Sequence, residues 1–207
     1  MAQNTKPNII MMVADDMGYG DFGKFNDGYV KTPNLDSLID ESTCLSQHYS
    51  GAPVCSPARA ALLTGRYSLR TGVISPAETW GQDRISTRET TIGDYFKTIG
   101  YKTGLIGKWH NGALDSRYHP NNRGFDEFIG FRGGWADFYE WIIEKNGQFI
   151  KSDGTYLTNV LGDNAIDFIN RNKEEPFFLS LMFNAPHSPL QAPQEIIDTY
   201  LEMGLTL

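Results

Sequence analysis

Cysteine is scarce: Cys44 and Cys55 are the only two in 207 residues, too few for a disulfide scaffold. Basic residues are outnumbered, 18 Lys and Arg against 25 Asp and Glu. The resulting net charge of −7 argues against a nucleic-acid surface, although local cations could still hold an anion. No run approaches the roughly eighteen apolar residues that a membrane span requires, so no membrane partner is expected. The first residues, Met1-Ala2-Gln3-Asn4-Thr5-Lys6-Pro7-Asn8, lack a basic stretch backed by an apolar one. As written, the chain is expected in the cytoplasm, or in the periplasm or outside the cell if a leader was removed. Internal repeats and low-complexity segments are also missing. What is present is a chain 40% hydrophobic and long enough for one domain with its own core.

Three short apolar runs, at residues 9–14, about 102–106 and 176–183, read as strands. The first is apolar on both faces, the pattern of a central strand in a parallel sheet. Helical patterns fall between them. Thr32 and Pro33 open one helix, with Leu35, Leu38 and Ile39 on its apolar face. Thr90 or Thr91 caps another, with Ile92, Tyr95, Phe96 and Ile99 at helical spacing, and Gly100 ends it. Residues 156–170 are amphipathic, and 193–203 read as a capped surface helix. Residues 135–150 suggest a hairpin around Asn146-Gly147, and residues 117–134 a long loop over the strand ends. The alternation predicts an α/β fold with a mostly parallel central sheet and helices on both faces.

Each apolar run ends in residues able to do chemistry, and in open α/β sheets ligands gather beyond the carboxyl ends of strands. The first ends in Asp15-Asp16, with Gly18 to permit the turn that would bring both carboxylates to one ion. Such oxygen ligands favour Ca²⁺, or Mg²⁺, over zinc. A lone Asp-Asp is otherwise a solvated loop or a helix cap. The second run leads to Gly107-Lys108-Trp109-His110, with Trp109 read as packing, and the third to Asn184-Ala185-Pro186-His187-Ser188-Pro189. His48 reads as a loop histidine and Cys44 as a packed thiol. Arg123 could bind an anionic substrate or pair with Asp126 or Glu127.

The densest stretch is Cys55-Ser56-Pro57-Ala58-Arg59-Ala60-Ala61-Leu62-Leu63-Thr64-Gly65-Arg66. Pro57 suits a first helical position and Gly65 the left-handed position past a helix end, so a helix is predicted from about 57 to 64 with Cys55 at its mouth. Free N–H groups there, and the guanidinium of Arg59 one turn in, would make an anion site. A lone C-x-P-x-R otherwise reads as a buried cysteine before a capped helix.

The full stretch resembles the sulfatase signature, C-x-P-x-R followed by A-x-L-L-T-G-R. Residues 100–110 resemble the second signature of that family, and residues 8–21 its opening A-D-D-x-G-x-G-D segment. The N-R-G-F-D at 122–126 also recurs there. The resemblance implies an alkaline-phosphatase-like fold and hydrolysis of a sulfate monoester on a small molecule or carbohydrate. It implies that Cys55 is converted by a formylglycine-generating or radical maturase enzyme to formylglycine, whose hydrate is the nucleophile. Arg59 would stabilise that residue, which also contacts a Ca²⁺ held by Asp15 and Asp16. Lys108 would bridge sulfate and nucleophile, His110 would bond the hydrate, and His187 would contact the sulfate.

Sulfatases carry a further Asp-Asn or Asp-His ligand pair and a second sulfate-binding lysine later in sequence, and neither can be located before Leu207. Residues 1–207 therefore resemble an incomplete N-terminal part of a sulfatase catalytic domain, with a half-built cation site and little turnover of its own. A phosphonate or phosphate monoester hydrolase of the same superfamily, and an inactive anion-binding fragment, are the other two readings.

Overall fold

The computed structural model describes residues 6–205. In chain order the elements are β1 (Ile9–Asp15), α1 (Pro33–Glu41), α2 (Cys55–Thr64), α3 (Ser68–Thr71), α4 (Ile92–Thr98), β2 (Lys102–Lys108), β3 (Glu127–Phe131), β4 (Ile142–Lys145), β5 (Gln148–Lys151), α5 (Leu157–Asn172), β6 (Phe177–Pro186) and α6 (Gln194–Glu202). They build a six-stranded sheet of order β1-β6-β2-β3-β4-β5. The first four strands in that order are parallel, and β4 and β5 add an antiparallel hairpin through Asn146-Gly147.

Strand β6 alternates its side chains between two cores. Phe177, Leu179 and Leu181 meet Leu161, Ala165 and Phe168 of α5 on one face. Phe178 and Met182 meet Ala60 and Leu63 of α2, with Phe96 of α4, on the other. Helices thus cover both faces, and the three apolar runs lie side by side as β1, β6 and β2, all pointing the same way. Their chemistry-bearing ends consequently share one rim of the sheet.

Several local expectations need correction. β1 pairs only with β6, so among the described residues it is an edge strand and not a central one. Ile9, Met11 and Val13 pack on the core, while Ile10 and Met12 are 47% and 58% exposed. Apolar composition reports what a strand could bury and is silent about its pairing partners. The loop expected over 117–134 contains β3, a parallel neighbour of β2, besides two short 3₁₀ turns at Ser116–Tyr118 and Pro120–Asn122. β3 was hidden because a five-residue run interrupted by Gly130 is too short to show a period. Gly107 (φ 112) sits where a Cβ would fall 1.9 Å from the Met182 carbonyl oxygen, so only glycine lets β2 and β6 approach as they do.

The helix expected from about residue 57 starts two residues earlier: α2 begins at Cys55, with Val54 as N-cap, and Pro57 occupies its third position. Proline is still tolerated there, because first-turn N–H groups have no intrahelical acceptor. Gly65 ends the helix at φ 66, as the sequence implied. Thr91, not Thr90, caps α4, and it forms a reciprocal box with Asp94. Leu38 of α1 is 59% exposed, so that helix contributes only Leu35 and Ile39 as half-buried apolar groups. Cys44 is exposed and not packed.

Candidate active site

Asp15 ends β1 as a buried carboxylate, 6% exposed. Its Oδ2 accepts a 2.5 Å bond from Nζ of Lys108, the last residue of β2. Its Oδ1 lies 3.2 Å from Nη2 of Arg59, an ion pair without hydrogen-bond alignment. Arg59 Nη1 donates to the Lys108 carbonyl at 2.9 Å, which ties α2 to the end of β2. Burial alone would raise the Asp15 carboxyl, but Arg59 and Lys108 outweigh it and hold it below the usual carboxylate range. One carboxylate against two cations, all under 10% exposed, leaves this trio with an excess positive charge. An anion is the natural counterpart of that excess.

Asp16 turns away from the strand with φ 64, so the turn that was assigned to Gly18 is taken by Asp16 itself, Gly18 being at φ −85. Asp tolerates the left-handed region better than most residues, and this lets consecutive carboxylates leave the strand in different directions. The Asp16 side chain is 67% exposed and lies 3.7 Å from Nε2 of His187, just past β6. His187 donates its Nδ1–H to the Ser188 carbonyl at 2.6 Å. Cys55, Arg59, Asp15 and Asp16 all line one open cavity of about 1280 Å³, together with Arg66, Arg70 and His48.

His110 follows β2 at φ 53, a left-handed conformation that is uncommon outside glycine, and is 3% exposed. Burial first, and the charges of Lys108 and Arg59 after it, push its pKa down to about 4. The next residue, Asn111, donates to the carbonyl of Ser56 at 3.0 Å, linking this segment to the first turn of α2. Trp109 packs as expected, 1% exposed, with its indole N–H on the Tyr118 carbonyl.

The structure thus connects Asp15, Lys108 and Arg59 directly, and Asp16 with His187. His110 joins them through Asn111 and Ser56. Arg123 does not join the site: its guanidinium donates to the carbonyls of Ile85, Ser86 and Glu89, while Asp126 pairs with Lys97 and Glu127 with Arg171. Sequence reading missed Asp83, wholly buried, whose Oδ2 accepts from the N–H groups of Gly112 and Ala113. Burial pushes its carboxyl up against the pull of those donors. It also missed Glu78 beside His110, and it placed Asn184 at the end of the third run without a role; that side chain is 3% exposed with neither atom hydrogen-bonded. Asn111 next to His110 and Asn184 at a strand end offered a signal; nothing in residues 67–89 marks Glu78 or Asp83.

A parallel sheet whose strand ends gather buried cations, carboxylates and histidines around a helix N-terminus defines an α/β protein built to handle an anion. Comparison with known proteins makes this specific. The family model described as Sulfatase matches residues 7–203. The arylsulfatase of Klebsiella aerogenes is 33% identical over 223 residues, covering 96% of this chain and 47% of the relative. Arylsulfatase H of Canis lupus familiaris is 46% identical over 142 residues, 63% of this chain and 25% of the relative. The crystal structure of Ps i-CgsB in complex with k-i-k-neocarrahexaose superposes with a TM-score of 0.86 at 34% identity, over 96% of this chain and 49% of that one. This chain belongs to the sulfatase family, and it spans between a quarter and a half of the length of these relatives.

Proposed function

We propose that residues 1–207 form the N-terminal part of a sulfatase catalytic domain whose whole protein hydrolyses a sulfate monoester, with a sulfated carbohydrate or aryl sulfate as substrate. The observation that carries this reading is the placement of Cys55 in the first turn of α2, on the same cavity wall as Asp15, Asp16 and Arg59.

Asp15 fixes Arg59 and Lys108 before substrate arrives, so Arg59 on the cavity wall can meet sulfate without reorganisation, with the fully buried Lys108 adding its charge from behind the wall. His187 stands at the rim, next to Asp16, where its Nε2 can meet sulfate or, when the ring carries both protons, give one to the departing alcohol. His110 is neutral near pH 7 and can accept a proton. Formylglycine at position 55, installed by a formylglycine-generating or radical maturase enzyme, would supply as its hydrate one hydroxyl to attack sulfur and a second whose deprotonation releases sulfate.

The donors also bear on a cation. Asp15, Asp16 and the oxygen of a modified residue 55 are hard ligands of the kind Ca²⁺ or Mg²⁺ takes, and Asp16 is free enough to turn inward. They fit in kind but leave a shell of about six to eight oxygens incomplete even with both carboxylates bidentate, and no cluster of three or more His, Cys, Asp or Glu is assembled among the described residues. A bound cation would polarise the sulfate as a Lewis acid.

The test combines mass and turnover. After co-expression with a maturase, the peptide bearing Cys55 should exchange sulfur and two hydrogens for one oxygen. Slow hydrolysis of an aryl sulfate should exceed that of the matching aryl phosphate, vanish in Cys55→Ala, and persist in Cys44→Ala. Turnover by protein with an unmodified thiol overturns the nucleophile, and a preference for phosphate overturns the substrate class.

A further inference from the structure

The imidazole of His110 is held by a segment more than thirty residues earlier in the chain. Its Nε2 lies 3.1 Å from the Pro76 carbonyl oxygen and 3.7 Å from Oε1 of Glu78. Carbonyl and carboxylate oxygens only accept, so Nε2 carries the ring proton and donates it to Pro76. Nδ1 is then a bare lone pair; it is buried and has no hydrogen-bond partner.

Glu78 does more than stand near. Its Oε1 accepts the Gly134 N–H at 2.5 Å, and Gly134 lies so close over the imidazole that a Cβ there would fall 2.3 Å from His110 Cε1. One carboxylate oxygen therefore presses a glycine backbone onto the ring and faces the ring's N–H. The segment carrying it is closed on itself: Ile74 and Ser75 donate to the Gln82 carbonyl, Gln82 donates to Ala77, and Gly81 to Glu78. Neither Glu78 nor Pro76 nor His110 itself lines the cavity that holds Cys55, Asp15 and Asp16; His110 reaches that side only through the Asn111–Ser56 bond.

We propose that Glu78 is a positioning residue for His110: together with the Pro76 carbonyl it fixes the Nε2–H tautomer and leaves Nδ1 as the ring's acceptor. This rests on the reading that His110 takes a hydrogen bond or proton from a nucleophile at position 55. With the other tautomer the ring would offer that nucleophile a donor, and the buried Nε2 lone pair would face two oxygens, a repulsive arrangement. A negative charge facing the N–H biases the ring the same way as the Pro76 bond, and it does so without touching substrate.

Nitrogen NMR of the full chain carrying ¹⁵N-labelled histidine tests this directly. Four histidines contribute signals, and the His110→Gln variant identifies the pair that belongs to His110. The wild-type chain should show Nε2 protonated and Nδ1 bare at neutral pH. In Glu78→Gln, which keeps the length of the side chain and an acceptor for Gly134, the Nδ1–H form should rise on the order of tenfold, the effect of losing a partly screened charge at this distance. Glu78→Ala should show at least as large a rise; should it fail to fold, the glutamine variant carries the measurement. An Nδ1–H tautomer in the wild type, or an unchanged Nε2–H tautomer in folded Glu78→Gln, overturns the proposal. The readout needs neither turnover nor an aldehyde at position 55, so its failure is separable from failure of the hydrolase reading.

Discussion

At the scale of single residues, the buried trio is matched only in part, since the Asp15 carboxylate faces both Arg59 and Lys108. Removing the negative partner leaves two buried cations uncompensated, so Asp15→Asn should destabilise the fold by about 3–5 kcal/mol, read from urea unfolding. His110 and Asp15 shape the pH response in separate ranges. His110 has a pKa near 4 in the folded chain, below its ordinary 6.5, so between those values the unfolded chain binds the extra proton. Its contribution, about 3 kcal/mol, is complete above pH 6.5 and is lost as pH falls toward 4. Asp15 is depressed below 3.8, so its contribution persists above that pH and is lost only at more acid values. Unfolding measured across pH 7 to 4 should therefore lose stability toward acid, and His110→Gln should remove that loss and leave the opposing slope of Asp83, whose carboxyl burial pushes up. The site residues were legible as residue types at strand ends. Their pairings were not, because Asp15 and Lys108 are 93 residues apart and no local pattern reports a contact of that span.

At the scale of elements, capping and close approach decide the outcome. The Thr91–Asp94 box satisfies two orphan N–H groups at the start of α4, and Thr91→Ala should cost about 1 kcal/mol in thermal or urea unfolding. Gly107 holds a positive φ with the Met182 carbonyl against its α-hydrogen. Gly107→Ala should force β2 away from β6 just before Lys108, costing about 4 kcal/mol or more and reducing the amount of soluble folded protein. Helices with strong punctuation, such as α2 with Gly65 and α5 with its apolar stripe, were readable from the chain. β3 was not, because its identity as a strand comes from hydrogen bonds to β2 that five residues cannot announce.

At the scale of the whole molecule, among the described residues β1 leaves one edge unpaired beside the candidate site, with Ile10 and Met12 exposed on that strand. A free edge with apolar side chains is a template for strand addition. The chain should accordingly self-associate as its concentration rises, and Met12→Lys should shift it toward monomer in sedimentation or light scattering without loss of helix and strand content. Monomer at all concentrations for the unaltered chain would refute this.

The sequence by itself determined which segments form the sheet core, where α2 ends, and which side chains stand ready at the strand ends, because these follow from local periodicity, glycine and proline constraints, and signature residues. Tertiary structure alone decided that β1 lies at the edge of the sheet the described residues form, that Asp15 is shared between two cations, that Arg123 is committed to backbone carbonyls, and that Glu78 reaches His110. Those outcomes depend on which distant groups desolvate one another, and burial of that kind exists only once the chain has folded.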